Sequence, residues 1–178
     1  AMSSNSKFIT ALLVFLFAFT LKGTAQEYEV INLETLLNSK QRAQKVSSQK
    51  SSLNKKNTGN SLNIEKIETL VFDVSPTIYI QDNKVHQFEN TTPIMASIED
   101  DGYRIIYTEN DLFQNIEMVK LRYNKNSNIN IDVSKMNSFS SLKYFFIQCE
   151  SSCTENELAN IFTNAKGISI LYQVIQSE

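Results

Sequence analysis

An apolar spacing that keeps returning constrains this chain more than any other feature. Phe113, Ile116, Val119 and Leu121 carry apolar side chains and Asn124 closes the segment; Phe139, Leu142, Phe145 and Ile147, closed by Glu150, repeat it. Upstream come Ile64, Ile67, Leu70 and Phe72, closed by Ser75, and a weaker set of Asn90, Pro93, Ala96 and Ile98, closed by Asp101. The last set is Phe162, Ala165, Ile168 and Ile170, closed by Gln173. Successive sets start 26, 23, 26 and 23 residues apart, and recurrence on that scale signals stacked supersecondary units. Eighteen of the twenty apolar slots are filled from the hydrophobic set, against 42% of the whole chain, while all five closing slots are polar. The spacing therefore predicts short strands whose alternate side chains point inward, with the preceding apolar residues carrying the chain back beneath them.

From Ser61 to Glu178 this pattern resembles that of a short, divergent leucine-rich repeat protein, most closely across Phe113 to Ile147, where LxxLxxLxLxxN is matched with Ile, Val and Phe substitutes and one Asn. The resemblance implies an α/β fold, a leucine-rich-repeat-like solenoid with a short parallel sheet. The alternative expectation is an irregular α+β single domain. Leu is often replaced, and only Asn124 keeps the Asn.

If the coils stack, inward positions are consumed by the core and function falls to the outward ones. Two outward columns follow from the spacing: Val71, Ser97, Lys120, Phe146 and Ser169 between the paired apolar residues, and Asp73, Glu99, Arg122, Gln148 and Leu171 just after them. Lys120, Arg122, Tyr123, Tyr144 and Phe146 are the expected binding cluster, combining the Arg and aromatic types enriched in binding hot spots. The acids Asp73 and Glu99 fall at the other end.

The beginning of the chain reads as an export signal occupying residues 2 to 25, with Ala1 a leftover ahead of the initiator-like Met2. Lys7 gives a positive start, Phe8 to Leu21 is largely apolar, and Gly23-Thr24-Ala25 supplies the small residues of a cleavage site. These fourteen residues would rise only about 21 Å as a helix, short of the roughly 30 Å hydrocarbon core. No transmembrane span is therefore expected after cleavage, and the destination is the periplasm, cell surface or extracellular space. With no Cys before Cys149, a lipid anchor on an N-terminal Cys is not expected. Residues 26–62 read as a helix around Val30, Ile31, Leu33, Leu36 and Leu37, then a linker carrying Lys40, Arg42, Lys45, Lys50, Lys55 and Lys56 without an acid between Glu34 and Glu65. Residues 63–178 form the repeat-like domain.

Charge and chemistry narrow the function classes. Removing Lys7 and Lys22 from the 17 basic residues leaves 15 against 19 acidic ones, a balance that does not ask for nucleic acid. Abundant Asn, Ser, Lys and Ile with no Trp suit an AT-rich bacterial genome. Cys149 and Cys153 are expected to form a local disulfide in an oxidising compartment, with free thiols the alternative. His86, the single histidine, follows Asp82-Asn83-Lys84-Val85 in what reads as a turn leading into an extended segment, and is expected at the surface rather than in a triad. Glu99-Asp100-Asp101 is the densest acidic group, but Gly102 after it reads as a solvated turn rather than an acid–base pair. Four glycines make no phosphate loop, and neither a cofactor nor a metal is expected. The leading expectation is an exported, non-catalytic interaction module binding a protein or cell-surface polymer. The competing one is a small exported hydrolase or ligand carrier.

Overall fold

The computed structural model describes residues 28–46, 62–88 and 90–175. The export signal of residues 2 to 25 and the lysine-bearing stretch with Lys50, Lys55 and Lys56 lie outside them. The fold is mixed α/β, built on a seven-stranded, mostly parallel sheet with few helices.

In chain order the strands are β1 Val30–Asn32, β2 Thr77–Gln81, β3 Lys84–Gln87, β4 Met95–Ile98, β5 Met118–Tyr123, β6 Ile131–Asp132, β7 Tyr144–Cys149, β8 Phe162–Thr163 and β9 Ser169–Val174. The helices are α1 Leu33–Val46, α2 Ile64–Phe72 and α3 Glu155–Ala159. The main sheet runs β1-β9-β7-β5-β4-β2-β3, so β2, β4, β5, β7 and β9 follow one another as parallel neighbours. Among the described residues only the β2–β3 hairpin pairs antiparallel. Its turn residues Asp82 and Asn83 both adopt positive φ, 52° and 56°, the backbone twist that a two-residue hairpin needs and that Asp and Asn tolerate.

Strand register gives each side chain a row. On the inner face Ile78, Ala96, Val119, Phe145 and Ile170 are paired in sequence, as are Ile80, Ile98, Leu121, Ile147 and Tyr172. Nearly all are fully buried against the connecting segments, where the Phe113 and Phe139 rings stack at 4.5 Å and Phe145 meets Phe162 at 4.8 Å. Ala96/Ile98, Val119/Leu121 and Phe145/Ile147 thus occupy the paired positions expected from their spacing.

The first and last units differ from expectation. Leu70 and Phe72 lie in α2, and Ile78 and Ile80 of β2 fill the rows assigned to them. Asn63 caps α2 by accepting from the Lys66 amide, Glu65 sits in its first turn, and Ile67 and Leu70 share its buried face. In the last unit the inward pair is Ile170 and Tyr172 rather than Ile168 and Ile170. A slip of two preserves the side-chain alternation, so the core face is kept.

The N-terminal segment also departs from a plain helix and linker. Val30 and Ile31 form an edge strand parallel to β9, and α1 then extends past Lys40 and Arg42. Lys40 pairs with Glu68 of α2. The two helices cover part of the sheet's outer face: Leu33, Ile67 and Leu70 pack with Met95, Met118, Tyr144, Phe146 and Leu171 in a second buried cluster. Cover on both faces is what a parallel sheet requires. Gly102, expected in a solvated turn, is instead buried in a 3-10 helix, Asp100–Tyr107, where an added methyl would stand 3.3 Å from Ile80.

Candidate functional site

The helices leave part of the outer face open. Along the sheet, Tyr79, Ser97, Lys120, Phe146 and Leu171 form one outward row. Its last two members lie beneath α1 and α2, but Tyr79 is exposed and Ser97 and Lys120 are half-buried. The next row, toward the carboxyl ends of the strands, is polar: Arg122, Gln148 and Gln173 pair in succession. Lys120 has no ion-pair or hydrogen-bond partner among the described residues.

Five residues were expected to cluster on this face, and the structure divides them. Lys120 and Arg122 face outward. Tyr144 and Phe146 point to the same side but are 6% and 2% exposed, because α1 and α2 lie over them. Tyr123 is on the opposite side, buried and paired with Cys149 in the inner core. Its place follows from alternation: a residue adjacent to outward Arg122 must point inward. Val71 and Asp73, assigned to the two columns, belong to α2 and its C-cap, and Ser169 and Leu171 each move back one outward position.

Arg122 is held by Glu150, with Nε 2.6 Å from Oε1, while the Asn124 amide donates to Oε2 at 2.9 Å. Both carboxylate oxygens are thereby engaged. Glu150 follows Cys149, which is joined to Cys153 by a disulfide with Cα atoms 6.3 Å apart. The bridge ties the end of β7 to the start of α3, where Thr154 and Glu157 form a reciprocal capping box. Lys125 adds an ion pair to Glu157 at 3.2 Å. The Thr154 backbone amide, then Lys125 and the Thr154 hydroxyl, hold the Glu157 carboxyl below its ordinary range. Arg122, Asn124, Lys125, Glu150, Ser151 and Ile175 line a shallow cavity of about 640 Å³ at this end.

At the other end, His86 is exposed and stands opposite Tyr79 in the hairpin. Tyr79, Gln81, His86, Phe88 and Glu99 surround a smaller cleft of about 220 Å³, below the roughly 300 Å³ at which small-molecule pockets begin. No set of three or more His, Cys, Asp or Glu side chains among the described residues is placed to hold a metal. No helix among them is long and apolar enough to cross a membrane.

Two further charged clusters lie away from the face and tie elements together. Glu117 accepts from Lys66 of α2 at 2.9 Å and Lys143 at 3.0 Å. Burial pushes its carboxyl up, but the two ammonium groups outweigh that and hold it below the ordinary value. Asp132 accepts from Asn164 at 2.9 Å and from Ser134, which bring its carboxyl down to about 2.

The sequence reading missed Tyr79, Gln81 and Gln173 as parts of this face. Thr77-Ile78-Tyr79-Ile80-Gln81 alternates polar and apolar residues, the signal of a half-buried strand. No family model matches the chain, and no curated protein or solved structure is found to be similar to it.

Proposed function

We propose that this chain is an exported, non-catalytic interaction module, a divergent leucine-rich-repeat-like solenoid that engages a protein or cell-surface polymer through the open part of its outer sheet face. The observation that carries the proposal is the uncovered polar strip from Tyr79 through Ser97 and Lys120 to Arg122, Gln148 and Gln173. Sequential parallel neighbours and apolar inward rows support the repeat-like reading. Binding belongs to Lys120 and Arg122, not to Tyr144 and Phe146, whose rings hold α1 and α2 to the sheet.

The test is a pull-down from the native cell envelope followed by mass spectrometry, comparing the wild type with Lys120→Gln/Arg122→Gln. Capture is expected to fall at least about tenfold, the equivalent of about 1.4 kcal/mol. The melting temperature should change little, since Arg122 is 53% exposed at its side chain. Undiminished capture by the variant refutes the face assignment.

A further inference from the structure

The open strip ends at the hairpin edge in the small cleft, whose walls combine rings with hydrogen-bonding groups. The Tyr79 and Phe88 rings lie 5.6 Å apart and tilted by 58°, and the His86 ring runs within 11° of parallel to Phe88 at 6.4 Å. Gln81 and Glu99 complete the lining. Phe88 is 78% exposed and Tyr79 43%, although large aromatic side chains bury readily when the fold gives them a place. The side chains of Gln81 and Glu99 have no hydrogen-bond or ion-pair partner among the described residues.

We propose that this cleft is a pyranose subsite, the end position of a polysaccharide lying across the sheet; the proposal rests on the binding-face reading and names its ligand class. A pyranose ring has a flat C–H face and a rim of hydroxyls. Phe88 and Tyr79 offer aromatic surface for the first, while the Glu99 carboxylate accepts from neighbouring hydroxyls and the Gln81 amide both donates and accepts. At about 220 Å³ the cleft is too small for a whole small-molecule ligand and suits a single unit of a longer polymer.

Other ligand classes fit less well. A wholly apolar group would strip water from Glu99 and Gln81 without replacing its hydrogen bonds. A cation would meet Lys84, which pairs with Gln81 on the same side of the hairpin, and Lys120 beyond Ser97. An added peptide strand would take its main-chain hydrogen bonds from the outer edge of β3, away from the strip. From the cleft the polar positions continue strand by strand at about 4.8 Å, a step comparable to one linked sugar.

The test uses the full mature chain with its disulfide intact on an array of soluble hexasaccharides: β-1,4-linked glucose, β-1,4-linked N-acetylglucosamine, α-linked mannose and β-linked galactose. Hits are then titrated by calorimetry. At least one hexasaccharide is expected to bind, and Phe88→Ala and Glu99→Gln should each weaken it about tenfold, in line with the loss of one stacked ring or one charged hydrogen bond. Phe72→Ala, which removes an exposed ring outside the cleft, should leave affinity unchanged. Failure of the wild type to bind any of the four, or affinities for both cleft variants within about twofold of wild type, overturns the subsite. Envelope capture lost in the Lys120/Arg122 variant but seen without sugar binding overturns the subsite alone; loss of that dependence as well overturns the binding face.

Discussion

Phe146→Ala separates a structural ring from a binding ring. Phe146 is 2% exposed and shares its buried cluster with Leu33, Ile67, Leu70, Met118, Tyr144 and Leu171. Truncation removes most of the side chain and leaves a void between two helices and a sheet, a change that costs about 3–5 kcal/mol in protein cores. Because α1 and α2 can settle partly into the space, the lower end applies, about 3 kcal/mol. For a domain near 150 residues that lowers the melting temperature by about 6–12 °C. Urea unfolding of the oxidised protein, followed by far-UV circular dichroism, should show a lower midpoint with an unchanged slope. Leu33→Ala should behave similarly, and the double variant should lose less than the sum, since the two truncations open into one shared cluster. A loss under about 1 kcal/mol for Phe146→Ala, with envelope capture abolished, would refute the covered-face assignment and return the ring to the binding surface.

The other predictions concern the ties that hold the elements. Glu117 has a folded-state value below its ordinary 4.5, so its contribution to stability is present above that range and is lost as pH falls through the lowered value. Glu117→Gln should flatten the acid limb of the stability–pH curve below pH 4.5, read by chemical unfolding at successive pH values; an unchanged limb would show that the two lysines do not couple to folding. Cys149→Ala/Cys153→Ala opens a loop with a sequence separation of four and should lower stability by about 2 kcal/mol on loop-entropy grounds. A fall of more than about 4 kcal/mol would mean that the bridge supports the whole fold instead of the β7–α3 corner.

Sequence alone made the middle of the sheet legible because Ala96/Ile98, Val119/Leu121 and Phe145/Ile147 combine period-two alternation with a recurring approach. The Asp82–Asn83 turn and the local Cys149–Cys153 bridge were also visible, each depending on residues a few positions apart. The first unit was not: apolar residues three apart, as in Ile64, Ile67 and Leu70, suit one face of a helix as well as the approach to a strand, and the Asn63 cap decides between them. Val30 and Ile31 failed for the opposite reason, because their strand partners are at Ile170 and Leu171 and nothing local announces that pairing. The candidate site was half legible. Alternation correctly turned Lys120 and Arg122 outward, but no local pattern shows that helices from elsewhere in the chain cover Tyr144 and Phe146.

The pairing of β1 with β9 also sets an order of events. Val30 has to find Ile170, far along the sequence, so β1 must wait while the other strands of the main sheet are delivered. Closing so long a loop brings its entropic cost before its contacts reward it. β1 is therefore the last strand able to join the sheet, and the β9 edge stays open until it does. Closure of that edge is thus timed by connectivity rather than by any local signal, because β1 has no partner in the sheet until β9 is in place.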